Sequence, residues 1–96
     1  MARREMMMVF SYDITDAKRR RRVAKRLEDA MSRVQKSVFE ARMGQAAADR
    51  LARDVVAQLG PGDSLRVYAV GESGYARSAV YGASVPFESP DGYWLV

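Results

Sequence analysis

The sequence contains no cysteine and no histidine. Their absence excludes a thiol nucleophile, a disulfide framework, a zinc site built from Cys and His, and acid–base chemistry by an imidazole. Any catalysis must therefore use carboxylates, hydroxyls, Lys, Arg or a hard metal ion bound through oxygen.

Long hydrophobic runs are scarce as well. The apolar run over residues 6–10 is too short for the core of a signal peptide or for a membrane span. We therefore expect a cytoplasmic protein without a membrane partner. A chain of 96 residues predicts one domain, which would bury only about 60–65% of its unfolded surface, so that a partner subunit would add stability.

Positive charge is in excess. Lys and Arg number 16 against 12 Asp and Glu, which gives a net charge of +4. Five consecutive cations occupy residues 18–22, and only Glu28 and Asp29 follow closely enough to offset their repulsion. The run is either a solvated helix face or a surface for a polyanion, whose phosphates would relieve that repulsion. The candidates for binding nucleic acid are Arg19, Arg20, Arg22, Arg26 and Arg33.

The first half of the chain predicts a strand and a helix. Residues 6–12 are mostly apolar at both parities, which is typical of a central strand with both faces covered. Asp16 is the predicted N-cap of a helix over residues 17–31. The side chains predicted to face inward from this helix are Val23, Leu27, Ala30 and Met31.

The rest of the chain continues the alternation of strands and helices. Residues 33–43 alternate but switch parity near residues 36–37, which predicts either a bulge or two short strands. A second amphipathic helix is predicted over residues 45–59 and a strand over residues 64–70. Residues 71–74 are predicted to form a turn, residues 76–81 a short strand, and the final residues a loop followed by an apolar tail.

This order predicts an α+β fold of the ferredoxin-like type, with an antiparallel sheet, two helices on one face and a C-terminal strand. Its core would span residues 6–70. The second sheet face would then be bare although the first strand is apolar on both sides. A homodimer packed sheet against sheet resolves this conflict, and the tail over residues 71–96 would complete the dimer, for example by pairing with a sheet edge.

One acid, Asp13, ends the first strand. Two interpretations are open. In the first, Asp13 or Thr15 only starts a turn and caps the next helix. In the second, the Asp13 carboxylate belongs to a functional site. In a two-fold dimer, two Asp13 carboxylates would face one cleft and could share a proton or hold a divalent cation. Mg²⁺ accepts one or two carboxylates together with waters and phosphate oxygens, so such a site needs no histidine or cysteine. Asp16 is the weaker second candidate because capping already explains it.

Three segments resemble a known family. The strings "VFSYDITDAKRRRRVAKRL", "RVQKSVFEARM" and "DSLRVYAV" stand in the order and at the spacing of the CRISPR-associated Cas2 family, a group of small adaptation proteins. The resemblance covers about residues 6–70, and "RVQKSVFE" is its most specific part.

The resemblance implies a ferredoxin-like homodimer that bridges the Cas1 integrase and lies along the duplex DNA to be inserted as a new spacer. It also implies, for some members, a Mg²⁺-dependent endonuclease acting on single-stranded RNA or duplex DNA. Asp13 matches the catalytic and metal-binding position of the family, and Arg19 and Arg20 match its basic positions. The residues expected near the cleft are Tyr12, Ser37 and Phe39.

Three alternatives remain at this point. A VapD-like toxin that cleaves messenger RNA would share the fold and the acid at the end of the strand. A non-catalytic RNA-binding module ranks lower because neither strand carries an RNP-type aromatic motif. A ferredoxin-like domain that binds a small regulatory molecule would have little use for five adjacent cations.

Overall fold

The computed structural model describes residues 4–82, which form an α+β domain. Its elements are β1 (Glu5–Asp13), α1 (Ala17–Glu28), β2 (Ser32–Gln35), β3 (Val38–Gly44), α2 (Gln45–Val56), β4 (Ser64–Val70) and α3 (Glu72–Ala76). The four strands form one antiparallel sheet in the order β2-β3-β1-β4, which confirms the ferredoxin-like prediction. Within the described part of the chain, every helix is too short or too polar to cross a bilayer.

β1 is a central strand, as its two-sided apolar pattern predicts. It pairs with β3 on one edge and with β4 on the other. Met8, Phe10 and Tyr12 point to the side of α1 and α2, where they form the core together with Phe39 of β3. Met7 points the opposite way by the alternation of the strand and is nevertheless only 2% exposed. Both faces of β1 are therefore covered near its start.

The start of α1 agrees with the prediction, and its end does not. The Asp16 side chain accepts a hydrogen bond from the Arg19 backbone N–H at 2.9 Å, which confirms Asp16 as the N-cap. The helix ends at Glu28 rather than at residue 31, because the amides of Ala30 and Met31 both turn back to the carbonyl of Leu27. Met31 thereby reaches the core from a turn, whereas Ala30 is exposed and Ala24 takes the predicted inward place.

Near residues 36–37 the sequence predicted either a bulge or two short strands, and the structure has both. β2 and β3 are separate strands joined by the turn at residues 36–37, and their register also shifts between Arg33 and Gln35. The second helix begins at Gln45 as expected but ends at Val56 instead of residue 59. Leu59 still packs against the core from the segment that follows the helix.

The segment after β4 differs from the prediction. Glu72–Ala76 form the short helix α3 with its N-cap at Gly71, and no strand follows over residues 76–81. Tyr75 explains the difference, because a helical turn brings this one large ring back to the sheet, where it is 8% exposed and lies under the guanidinium of Arg42. The predicted C-terminal strand and apolar tail, from residue 83 on, lie outside the described residues.

Candidate nucleic-acid interface and metal site

Asp13 is the last residue of β1 and is exposed. It pairs in register with Ser64, the first residue of β4. Because side chains alternate along a strand, Asp13 lies on the sheet face away from α1 and α2. The capping role that could have explained an acid here belongs to Asp16, whose pKa is lowered mainly by the hydrogen bond from the Arg19 backbone N–H. Capping therefore does not account for Asp13.

The loop after Asp13 is held from within the domain. Ile14 is buried, so its side chain fixes the loop to the core. The Arg20 Nη1 atom donates to the carbonyls of Ile14 and Thr15, at 3.1 Å in each case. Arg20 thus binds the two carbonyl groups that directly follow Asp13, and the loop leads from there into the cap at Asp16.

A second carboxylate, Asp63, lies next to the same strand end but is buried, with a side-chain exposure of 1%. Its Oδ2 atom accepts from Arg19 Nε at 2.9 Å and from the Gly60 backbone N–H at 2.8 Å. The Gly60 N–H is the main cause that lowers the pKa of Asp63, with smaller contributions from Arg19 and from the Thr15 backbone N–H. Asp63 is therefore an ionised link between the turn before β4 and the start of α1.

Asp13 by itself supplies only part of the ligand set that a bound Mg²⁺ ion needs. Among residues 4–82, no three acidic side chains lie close enough together to hold a metal ion. One exposed carboxylate per chain suits a Mg²⁺ ion that keeps several waters and takes phosphate oxygens from a substrate. A second carboxylate would have to come from another copy of the chain.

The three residues expected near the cleft are Tyr12, Ser37 and Phe39. They lie at the same end of the sheet as Asp13, and their contacts are mainly structural. Phe39 is fully buried, and its ring stacks on that of Tyr12 with the centroids 6.1 Å apart. The Tyr12 hydroxyl donates to the Lys36 carbonyl, and the Tyr12 N–H donates to the Ser37 carbonyl, both at 3.1 Å. These contacts attach the β2–β3 turn to the end of β1.

Four of the five candidate arginines are bound to groups within the domain. Arg19 binds Asp63 and Arg20 binds the loop carbonyls, as described above. Arg26 forms an ion pair with Asp54 of α2 at 2.8 Å. Arg33 donates to Glu28 and to the Lys36 carbonyl, and its guanidinium lies 5.3 Å from the centroid of the Phe39 ring. Of the five, Arg22 alone is exposed without a hydrogen bond to residues 4–82.

A set of exposed cations on α1 was not singled out as a group in the sequence. We call it the outer basic stripe, and it comprises Lys18, Arg21, Arg22 and Lys25. All four side chains are exposed, and none makes a hydrogen bond or an ion pair within the described ranges. Their i, i+3, i+4, i+7 spacing places them on one side of the helix, and this spacing was the signal that could have identified them.

The sheet face away from α1 and α2, which we call the distal face, is partly apolar. Its middle carries Val9 and Ser11 of β1, Val38 and Glu40 of β3, and Arg66 and Tyr68 of β4. The Tyr68 ring is 49% exposed, and Arg66 donates to its hydroxyl at 3.1 Å, which raises the pKa of Arg66. Burial raises the pKa of Glu40 on this face.

Fold and site together define a small ferredoxin-like domain with an exposed acid at the end of its first strand and a basic helix beside it. Residues 6–78 match the family described as CRISPR associated protein Cas2. The chain therefore belongs to the Cas2 family, as the sequence resemblance suggested. The matched region contains all three helices, the strands β2, β3 and β4, and all of β1 except Glu5, including Asp13 at its end.

Relatives and solved structures agree with this assignment. The chain is 38% identical over 82 residues to "CRISPR-associated endoribonuclease Cas2 2" of Synechocystis sp., covering 83% of this chain and 88% of that protein. It is 36% identical to "CRISPR-associated endoribonuclease Cas2 3" of Chloroflexus aurantiacus, covering 95% and 99%. Its fold is similar to the crystal structure of Streptococcus pyogenes Cas2, with a TM-score of 0.67, 31% identity, and coverage of 80% of this chain and 100% of that one.

Proposed function

We propose that this protein acts in CRISPR adaptation as a homodimer that bridges the Cas1 integrase and holds the duplex DNA to be acquired as a new spacer. We propose further that it is a Mg²⁺- or Mn²⁺-dependent endonuclease, on single-stranded RNA or duplex DNA. Family membership supports both proposals, and the relatives named as endoribonucleases support the second. The single observation that carries the nuclease proposal is the exposed Asp13 at the end of β1, which capping leaves unexplained.

The outer basic stripe supports nucleic acid as the ligand. Its four cations follow one side of α1 over residues 18–25, and a helix rises about 1.5 Å per residue, so the stripe is about 10 Å long. That length corresponds to about three phosphates along one strand of B-DNA, which are spaced at about 3.4 Å of helix axis per strand. The four side chains would bind the backbone and give no base specificity, which suits a protein that must accept spacers of any sequence.

The distal face supports the homodimer. Asp13 lies on this face by parity, so two copies packed face to face would bring two Asp13 side chains toward one cleft. Asp13 would hold the metal, and the Arg20 contacts to the carbonyls of Ile14 and Thr15 would keep the loop behind it in place. When bound, Mg²⁺ or Mn²⁺ would supply the activated water and the charge stabilisation that phosphodiester hydrolysis needs.

The test of the nuclease is a cleavage assay on single-stranded RNA and duplex DNA across a Mg²⁺ and Mn²⁺ series. Asp13→Asn should abolish metal-dependent cleavage, because a neutral amide oxygen binds Mg²⁺ or Mn²⁺ far more weakly than a carboxylate does. Its unfolding free energy should stay within about 0.5 kcal/mol of wild type, because the residue is exposed at a strand end. Asp29→Asn is the matched control, since it removes another exposed carboxylate at the end of α1 and should cut at the wild-type rate.

Different experimental outcomes distinguish the adaptation proposal from the nuclease proposal. Wild-type protein that binds duplex DNA and co-purifies with the Cas1 integrase of its host, but cuts nothing, supports the adaptation proposal and overturns the nuclease. Cleavage that survives in Asp13→Asn would also overturn the assigned site. Growth arrest on expression, abolished by Asp13→Asn and without any association with Cas1, would instead identify a toxin that cleaves messenger RNA.

A further inference from the structure

Asp63 combines two features that are unusual for a surface domain. It is an ionised carboxylate with a side-chain exposure of only 1%, and one of its oxygens, Oδ1, is buried without a hydrogen-bond partner in the described residues. A buried charge of this kind is costly unless its geometry is well determined, so its retention calls for a reason. Its position, one residue before Ser64, which is the register partner of Asp13, suggests one.

The Arg19 side chain that binds Asp63 occupies the space that a side chain at Gly60 would need. A Cβ atom placed on Gly60 would lie 2.6 Å from Arg19 Cζ. The backbone of Gly60 is not in the left-handed region, so space rather than backbone conformation favours glycine at this position. The turn before β4 thus provides both a hydrogen bond to Asp63, through the Gly60 N–H, and the gap through which Arg19 enters.

Asp63 and Arg20 both make contacts with the segment that follows Asp13 and begins α1. Arg20 binds the carbonyls of Ile14 and Thr15. Asp63 binds the side chain of Arg19 in the first turn of α1, and the Thr15 N–H lies near enough to contribute to its lowered pKa. The strand end, the loop and the helix start are therefore joined to the turn before β4 by one carboxylate.

We infer that Asp63, acting through Arg19 and the Gly60 turn, is a positioning residue that fixes the loop after Asp13 and so the direction of the Asp13 carboxylate. The effect of Asp63 on cleavage rests on the proposed nuclease activity, whereas its effect on the loop does not. In catalysis by positioning, a displacement of about 1 Å costs about a hundredfold in rate. Disrupting the link should therefore lower kcat by at least tenfold while KM for the nucleic acid stays within about twofold, because the outer basic stripe is untouched.

Two variants test the link, and a third is the matched control. Asp63→Asn removes the charge but keeps the size of the side chain. Gly60→Ala leaves Asp63 and Arg19 intact and displaces only the flexible end of Arg19, so it should fold even if Asp63→Asn does not. Asp54→Asn is the control, because it removes the partner of the other Arg–Asp ion pair between α1 and the second half of the chain, remote from the loop.

Each variant is measured for cleavage and for amide hydrogen exchange at residues 13–16, on protein that melts above the assay temperature. Faster exchange in this loop and a tenfold lower kcat for Asp63→Asn and Gly60→Ala, with neither change in Asp54→Asn, support the inference. Wild-type exchange in both link variants overturns it, as does an equal change in all three. If the wild type does not cleave, the nuclease proposal fails, and loop exchange alone then decides whether Asp63 positions the loop.

Discussion

Asp13 and Ser64 form the final register pair between β1 and β4, so the exposed acid lies at the edge where β4 begins. This pairing brings Asp13, the candidate metal ligand, next to the buried Asp63. The two carboxylates differ in their exposure and in their contacts. Asp13 is exposed and has no structural task that the described contacts reveal, whereas Asp63 is enclosed and binds Arg19 and Gly60. Asp63 therefore has a structural role at this corner of the domain, and the metal-binding role is the one proposed for Asp13.

The outer basic stripe should dominate binding to duplex DNA. Replacing Arg21 and Arg22 together by Ala should flatten the slope of log K against log salt by about 1.8, because each phosphate that is no longer neutralised accounts for about 0.9. The control is the double replacement of Arg50 and Arg53 on α2, which removes the same charge from another exposed helix surface. Binding measured by fluorescence anisotropy over a salt series distinguishes the two pairs. Equal slopes for both doubles would show that only net charge matters.

The distal face should be the dimer interface. Tyr68→Ala removes a ring that is 49% exposed, so the fold of one chain should change little while the dimer loses two rings, one from each copy. We expect the dissociation constant to rise by about tenfold or more, as for a central aromatic anchor. Tyr81→Ala is the control, since this ring is 87% exposed and lies outside the sheet. Sedimentation equilibrium measures both, and an unchanged constant for Tyr68→Ala would remove this face from the interface.

Glu40 should make the protein more stable as the pH falls from neutral toward about 4.5. Burial raises the pKa of Glu40 above the ordinary value of 4.5, so between the two values the folded state holds more protons than the unfolded state. The penalty for the buried charge is present above the folded pKa and is relieved as the pH falls through it. Glu40→Gln should therefore be more stable than wild type at pH 7.

A measurement at pH 4 is the control for this prediction. The advantage of Glu40→Gln should nearly disappear there, because the carboxyl is mostly neutral in both the folded and the unfolded state. Urea unfolding at a fixed protein concentration, repeated at pH 4 and pH 7, gives the difference in the free energy of unfolding. A gain of the same size at both pH values would mean that the substitution acts through packing and not through charge.

Local patterns were enough to predict most of the elements. The apolar β1, the cap at Asp16 and the alternating β4 were all found because each depends on neighbouring residues or on a short period. The errors came where a distant contact decided the local structure. Residues 72–76 form a helix because Tyr75 packs near Arg42 on the sheet, and α1 ends early because the chain turns to bring Met31 into the core.

The candidate site likewise has a part that the local sequence predicts and a part that depends on distant contacts. The acid at the end of β1 was visible in the sequence, because a carboxylate after a buried strand stands out against its neighbours. The sequence could not tell which arginines are free, since partners such as Asp63 and Asp54 lie 44 and 28 residues away from Arg19 and Arg26. Asp63 itself looks in the sequence like an ordinary residue of a turn.

By itself, then, the sequence determined the order of strands and helices as far as β4, the central place of β1 and the position of Asp13 at its end. These features follow from periodicity and from capping, which act over a few residues. Only the tertiary structure decided that Arg19, Arg20, Arg26 and Arg33 bind groups within the domain while Lys18, Arg21, Arg22 and Lys25 face outward. The reason is physical: a charged side chain pairs with whichever group the packing of remote elements brings within reach.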